Sequence, residues 1–247
     1  MISMMKRTSL LFILCSCVQA HNIVKRQEGG AGPRTREIVP GVHSFTSNGQ
    51  YMSMIIIDPE GVMVIEPVNV KHSQQMLDEV RNLTEAPIKY LFYSHNHYDH
   101  AKGGQVWKDE GATIVSHIDA FDYIEANPSD DLVLPDMKWT GDFFTVTVGN
   151  MKLELYYFGL SHGNGMTAFR LPDQKVGYIA DFMTPNRVFF SYLPDFNIPG
   201  LANTLEQYSK LDVDLIVTSH SGKEDPLDPA TQEDTKASLQ YLKVFMS

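Results

Sequence analysis

The chain has 247 residues, 43% hydrophobic and 11% aromatic, with 30 acidic against 20 basic side chains and a formal charge of −10. Such a composition can bury a sizeable core and excludes a low-complexity or disordered chain as a whole. The acidic balance, with no Lys/Arg-rich run, argues against nucleic acid or another polyanion as a partner.

Residues 1–20 read as a secretory signal peptide: Lys6-Arg7, an apolar run from Leu10 to Cys17, and the small-residue ending Val18-Gln19-Ala20, after which cleavage is expected. The run is short for a bilayer span, so an uncleaved signal anchor is the weaker alternative, and no later segment is a membrane-span candidate. Both cysteines, Cys15 and Cys17, fall inside this leader. A secreted mature chain would therefore have no disulfide and no thiolate ligand, leaving His, Asp and Glu as its metal-binding side chains. Residues 21–36, polar and Gly-rich, are expected to be a flexible arm, and 37–247 a single domain. Asn82-Leu83-Thr84 is a glycosylation sequon and suggests an exposed spot.

Short β-branched or aromatic runs predict strands at Glu37–Phe45, Tyr51–Ile57 and Val62–Glu66, divided by Ser47-Asn48-Gly49 and Asp58-Pro59-Glu60-Gly61. The period then changes. Met76, Leu77, Val80 and Leu83 share one face of a helix over Lys71–Leu83, and Ile88–Tyr93 is apolar enough for a strand buried on both faces. A short helix at Gln105–Glu110, a strand at Ala112–Ser116 and a helix at Asp119–Ala126 follow. Strands are then expected at Asp142–Val148, Met151–Phe158, Met166–Leu171 and Lys175–Ala180. Gly200–Leu211 is amphipathic, Leu215–Thr218 is a buried strand, and the last helix is expected to open at Asp228-Pro229.

The chemistry gathers after the Ile88–Tyr93 strand, where Ser94-His95-Asn96-His97-Tyr98-Asp99-His100 places three imidazoles and a carboxylate in six consecutive positions. Histidine and aspartate are preferred ligands of zinc and similar divalent ions, and a loop leaving a strand can aim several at one point. His162, Asp181 and His220 each follow a predicted strand beside small residues, and strand ends in layered α/β folds converge on one rim.

In this order, H-x-H-x-D-H followed by His, Asp and His, the sequence resembles the metallo-β-lactamase superfamily over about residues 37–225. The resemblance implies an α/β fold, a four-layer αββα sandwich, and a two-metal centre. His95, His97 and His162 would hold the first ion, Asp99, His100 and His220 the second, and Asp181 would bridge them. The implied cofactors are two divalent metal ions, zinc by family habit, with iron or manganese also compatible with an all-His/Asp set. Asp181 is similar to the bridging aspartate of glyoxalase-II-like thioesterases, lactonases and RNase-Z-like nucleases. Glu66 stands where family members commonly have an aspartate behind the ligands, and Gly163 follows His162 where Ser or Thr is frequent.

The expected function is a secreted hydrolase in which a bridging hydroxide, oriented by Asp99, attacks an ester, lactone, thioester or amide of a small-molecule substrate. A phosphodiesterase or a non-catalytic metal-binding protein on the same fold are the alternatives. Outside the pattern, His43 and His117 are expected to be half-buried, His72 to face solvent, and Tyr98 to prop its loop or touch substrate. The aromatic stretch Phe182–Phe196 is read as the wall of an apolar pocket in preference to a small capping core.

Overall fold

Strict alternation of side chains explains most of the architecture of this computed structural model, which describes residues 32–187 and 195–246. The expected signal peptide and most of the 21–36 arm lie outside the described residues, as do Phe189, Phe190 and Tyr192. The first half of the chain runs β1 (Arg34–Val39), β2 (Val42–Thr46), β3 (Met52–Asp58), β4 (Gly61–Ile65), α1 (Val70–Leu83), β5 (Ile88–Phe92), α2 (Tyr98–Ala101), α3 (Gly104–Asp109), β6 (Thr113–His117), α4 (Ile118–Ala126) and β7 (Met137–Trp139). The second half runs β8 (Phe143–Val148), β9 (Met151–Tyr157), β10 (Thr167–Leu171), β11 (Val176–Ile179), α5 (Ile198–Tyr208), β12 (Leu215–Thr218) and α6 (Gln232–Met246).

Strands β1 to β7 form one sheet in sequence order, and a second sheet has the order β12-β11-β10-β9-β8. On β3 and β4, Met52, Met54, Ile56, Met63 and Ile65 point between the sheets and meet Leu153, Leu155, Phe169 and Tyr178. Their neighbours Ile55, Val62 and Val64 point the other way, onto Met76, Leu77 and Val80 of α1 and Trp107 of α3. Beyond the second sheet, Ile179 and Ile216 pack on Leu201, Leu205 and Tyr208 of α5 and Leu242 of α6. A period of two on strands sandwiched by a helical period on each side gives four layers, αββα.

Local differences from the sequence reading have local causes. The expected strand at Glu37–Phe45 is a hairpin, β1 against β2, because Pro40-Gly41 turns the chain and Gly41 has φ +78°. Arg34–Arg36, read as part of the arm, lie in β1, where Arg36 is bonded to Asp225 and Asp228. Asp228-Pro229 does not open the last helix. The adjacent Ala230 exchanges backbone hydrogen bonds with Ile216, and α6 begins after Thr231, whose N–H donates to the Asp234 carboxylate at 2.8 Å. Phe182 and Met183, expected in a pocket wall, are fully buried in the core under α5. Asn82 is exposed, and His43 and His117 are more deeply buried than half.

His72 is buried rather than solvent-facing, at 1% exposure. Its ring sits between the hydroxyls of Ser47 and Ser53, 2.9 Å from each, and edge-on to Phe45. Burial pushes this imidazole down to about 4. A histidine that is neutral in the fold but titrates near 6.5 when unfolded contributes stability present above that pH and lost as pH falls towards 4. In chelator-treated protein, His72→Gln should therefore lose about 3 kcal/mol less than wild type between pH 7 and pH 4 in urea unfolding. Equal losses in the two proteins would remove His72 as the acid-sensitive group.

Candidate metal centre

The two sheets are stitched together where their strands end. Met52 N–H donates to Ser219 O (2.9 Å), Thr167 N–H to Ser94 O (2.8 Å) and Asn96 N–H to Asn164 O (3.2 Å). The loops leaving β5, β9, β11 and β12 are thereby brought to one rim, carrying His95 to His100, His162, Asp181 and His220. Close approach has a backbone requirement. Gly163 has φ +60°, and a Cβ there would lie 2.8 Å from Asn96 Oδ1, 3.1 Å from His95 Cδ2 and 3.2 Å from His97 Nε2. Two non-glycine residues on the β4 exit, Glu66 and Val68, also adopt positive φ (75° and 64°). Each such conformation costs roughly 1–3 kcal/mol and persists only when the surroundings dictate it. Here Glu66 N–H is bonded to Phe92 O and Val68 N–H to His100 O, both at 3.0 Å.

Six of the seven candidate ligands form two groups joined at Asp181: His95, His97, His162 and Asp181, and His100, Asp181 and His220. Asp181 Oδ2 lies 3.2 Å from both His100 Nε2 and His162 Nε2, while Oδ1 lies 3.4 Å from His220 Nε2. The far side of three of the rings is occupied. His95 Nδ1 is 2.8 Å from Ser94 Oγ, His220 Nδ1 donates to Gln50 O at 2.8 Å, and His100 Nδ1 donates to Glu66 Oε1. In these three, Nδ1 is engaged and Nε2 left facing inward, the arrangement in which an imidazole ligates. The buried Nε2 atoms of His95, His100 and His162 have no hydrogen-bond partner.

The seventh candidate, Asp99, belongs to neither group. Its Oδ2 lies 3.6 Å from His100 Nε2 and accepts a hydrogen bond from the Tyr51 hydroxyl at 2.9 Å. Burial and the Asp99 carboxylate push the Tyr51 phenol up, so it stays a donor. Tyr51 and Asp99, with Val68, Asn69, Tyr98 and Lys102, line a cleft of about 320 Å³ beside the cluster. Tyr98 does prop its loop, donating to Asn127 O at 2.9 Å.

Charge decides what the cluster wants. Glu66 and Asp181 are buried, and among the described residues their ionic contacts are imidazoles rather than lysine or arginine. Burial holds His95 neutral, well below the usual histidine range, with help from His100 and His97. His100 is also opposed by burial, yet Asp181 and Glu66 outweigh it and hold its proton well above that range. Against its own burial, Asp181 is held well below the ordinary carboxylate range, mainly by His100. One imidazole is recruited as a cation between two buried carboxylates, with unpartnered nitrogens around it. This donor set fits a divalent cation, and the cluster can hold one.

Sequence reasoning did not single out Asp195. Its Oδ2 accepts from His97 Nε2 at 2.5 Å, and its Oδ1 is 3.8 Å from His162 Nδ1. The next residue, Phe196, lies tilted against His162 with ring centroids 4.0 Å apart. Asp195 lies 98 positions from His97 in a segment with no clean period, so only the folded chain reveals the pair.

Comparison with known proteins bears on the family and the fold that carry this cluster. The family model of the metallo-β-lactamase superfamily matches residues 47–220. Over 192 residues the chain is 26% identical to the 2,4-dinitroanisole O-demethylase subunit alpha of Nocardioides sp. (strain JS1661), covering 75% of this chain. It spans 57% of that relative's length. Among solved structures, a metallo-β-lactamase from Pontibacter korlensis superposes with a TM-score of 0.74 at 18% identity, covering 85% of this chain and 99% of that one. TMB-1 superposes at 0.72 with 18% identity, covering 87% and 99%.

A carboxylate behind a ligating histidine typically contributes 10–100-fold in metal affinity. Asp195→Ala should weaken zinc binding by roughly that range in a competition titration with a chromogenic chelator. An unchanged affinity would reduce Asp195 to a surface residue.

Proposed function

The chain belongs to the metallo-β-lactamase superfamily, and from that premise we propose that it is a secreted hydrolase with two divalent ions, zinc first, cleaving an ester-type bond of a small substrate. Superfamily membership supports a hydrolase or a related enzyme. The observation that carries the finer reading is Asp181 shared between two ligand groups. His95, His97, His162 and Asp181 would hold one ion, and His100, Asp181 and His220 the other. When bound, such ions would supply Lewis acidity, lowering the pKa of a bound water and polarising the scissile group.

The chain's own residues do the rest. Ser94, Glu66, Asp195 and the Gln50 carbonyl each hold one imidazole in a fixed orientation, which limits how far these four donors must move when the site is loaded. Asp99, the most solvent-exposed of the candidate carboxylates, faces the cleft and can accept a proton and return it to a leaving group. An ester, lactone or thioester asks less of that proton than an amide does. Zinc comes first by superfamily habit, and the imidazole and carboxylate donors suit it, as they also suit iron. Secretion rests on the leader at 1–20.

A second reading has one specific support. Tyr51 and Tyr98 present aromatic groups to the cleft beside Asp99, and a 26%-identical relative is named for O-demethylation of 2,4-dinitroanisole. A substrate that releases a phenol, an aryl ester or an activated aryl ether, therefore belongs in the panel. A phosphodiester is disfavoured by the charge of −10.

Metal-loaded protein should hydrolyse at least one substrate among a lactone, a thioester, an aryl ester and an activated aryl ether, and His97→Ala should lose bound metal and at least about 100-fold of that activity together. Elemental analysis of the same samples reads the metal. A fully metallated, fully active His97→Ala would overturn the ligand assignment, and a metallated wild type inert to the whole panel would favour the non-catalytic alternative.

A further inference from the structure

Tyr51 touches both the half of the cluster built on His100 and His220 and the carboxylate standing outside it. Its ring lies 4.6 Å from His220 and 5.4 Å from His100, centroid to centroid, and its hydroxyl donates to Asp99 Oδ2 at 2.9 Å. The turn that delivers it is internally fixed. Thr46 Oγ1 donates to Tyr51 O at 2.7 Å and accepts from Gly49 N–H at 2.8 Å, while Asn48 Oδ1 accepts from Gln50 N–H at 3.0 Å. The same turn is tied to the cluster by His220 Nδ1, which donates to Gln50 O, and to the opposite sheet by Met52 N–H on Ser219 O. Tyr51 is therefore presented on a braced hairpin.

We infer that Tyr51 is a positioning residue for Asp99, fixing the carboxylate that completes the His100/Asp181/His220 half of the centre. The Asp99 side chain is 59% exposed, with Oδ2 3.6 Å from His100 Nε2. A carboxylate oxygen has two lone-pair directions, so Oδ2 can accept from Tyr51 while Oδ1 stays available. A hydrogen bond to a charged group of this kind amounts to about 10-fold in an equilibrium constant. The inference rests on the two-ion reading above, but it concerns ion binding and not the bond cleaved.

The test is a calorimetric zinc titration of chelator-stripped wild type, Tyr51→Phe, Asp99→Asn and the double variant. Tyr51→Phe keeps the ring against His100 and His220 and removes only the hydroxyl. The weaker of the two zinc steps should lose about 10-fold in affinity, with the tighter step unchanged. Because Tyr51 acts through Asp99, the double variant should bind no worse than Asp99→Asn alone. With both steps filled, Tyr51→Phe should lower kcat while leaving KM within about two-fold. Superimposable titrations of Tyr51→Phe and wild type, or additive losses in the double variant, would overturn the role. A wild type with fewer than two zinc steps would overturn it together with the two-ion reading. Two intact steps with no hydrolysis of any substrate would sink the hydrolase reading alone, and the titrations would still decide for or against Tyr51.

Discussion

The structure depends on one electrostatic demand: Glu66 and Asp181 are carboxylates buried at the junction of two sheets, with imidazoles as their partners. An uncompensated buried charge costs several kcal/mol, so the site must bind a cation or make one. In the chain alone it makes one, holding His100 protonated against its own burial. That is an awkward solution, because His95 beside it is pushed neutral by the same burial and by His100 itself. A divalent ion answers both carboxylates and the unpartnered Nε2 atoms of His95, His100 and His162 at once.

The fold holds these groups at short range through backbone devices, not through the ligands alone. Neither sheet could deliver all of them. The first supplies His95 to His100 from the end of β5, and the second supplies Asp181 and His220 from β11 and β12. Hydrogen bonds across the rim, from Met52 to Ser219 and from Thr167 to Ser94, set their separation. Gly163 clears the space between, where a Cβ would press on His95 and His97. The left-handed conformations of Glu66 and Val68 store strain that the rim hydrogen bonds sustain. Behind the rings, Glu66 and Asp195 play matching parts, one on His100 and the other on His97.

What the sequence could reveal was whatever is periodic or contiguous. The apolar runs at Met52–Asp58 and Gly61–Ile65 and the helical stripe of α1 are local, so these strands and this helix could be read directly, while the four layers came from the resemblance. The H-x-H-x-D-H cluster is contiguous, and the strand-end positions of His162, Asp181 and His220 place them beside it. Partners that meet only through the fold left no such trace. His72 reads as a helix-surface residue until Ser47 and Ser53 close over it. Arg34–Arg36 read as arm because an edge strand needs little apolar surface. Tyr51 and Asp195 act on Asp99 and His97 across 48 and 98 positions of chain. That Asp99 lies outside both ligand groups and bonds to Tyr51 was equally hidden.

The central claim is that one buried aspartate is shared by two ions. Anomalous diffraction at the zinc edge from crystals of the zinc-loaded protein addresses it most directly. The account predicts two peaks, one bounded by His95, His97 and His162 and the other by His100 and His220, with Asp181 in contact with both. A single peak, or peaks away from Asp181, would contradict it.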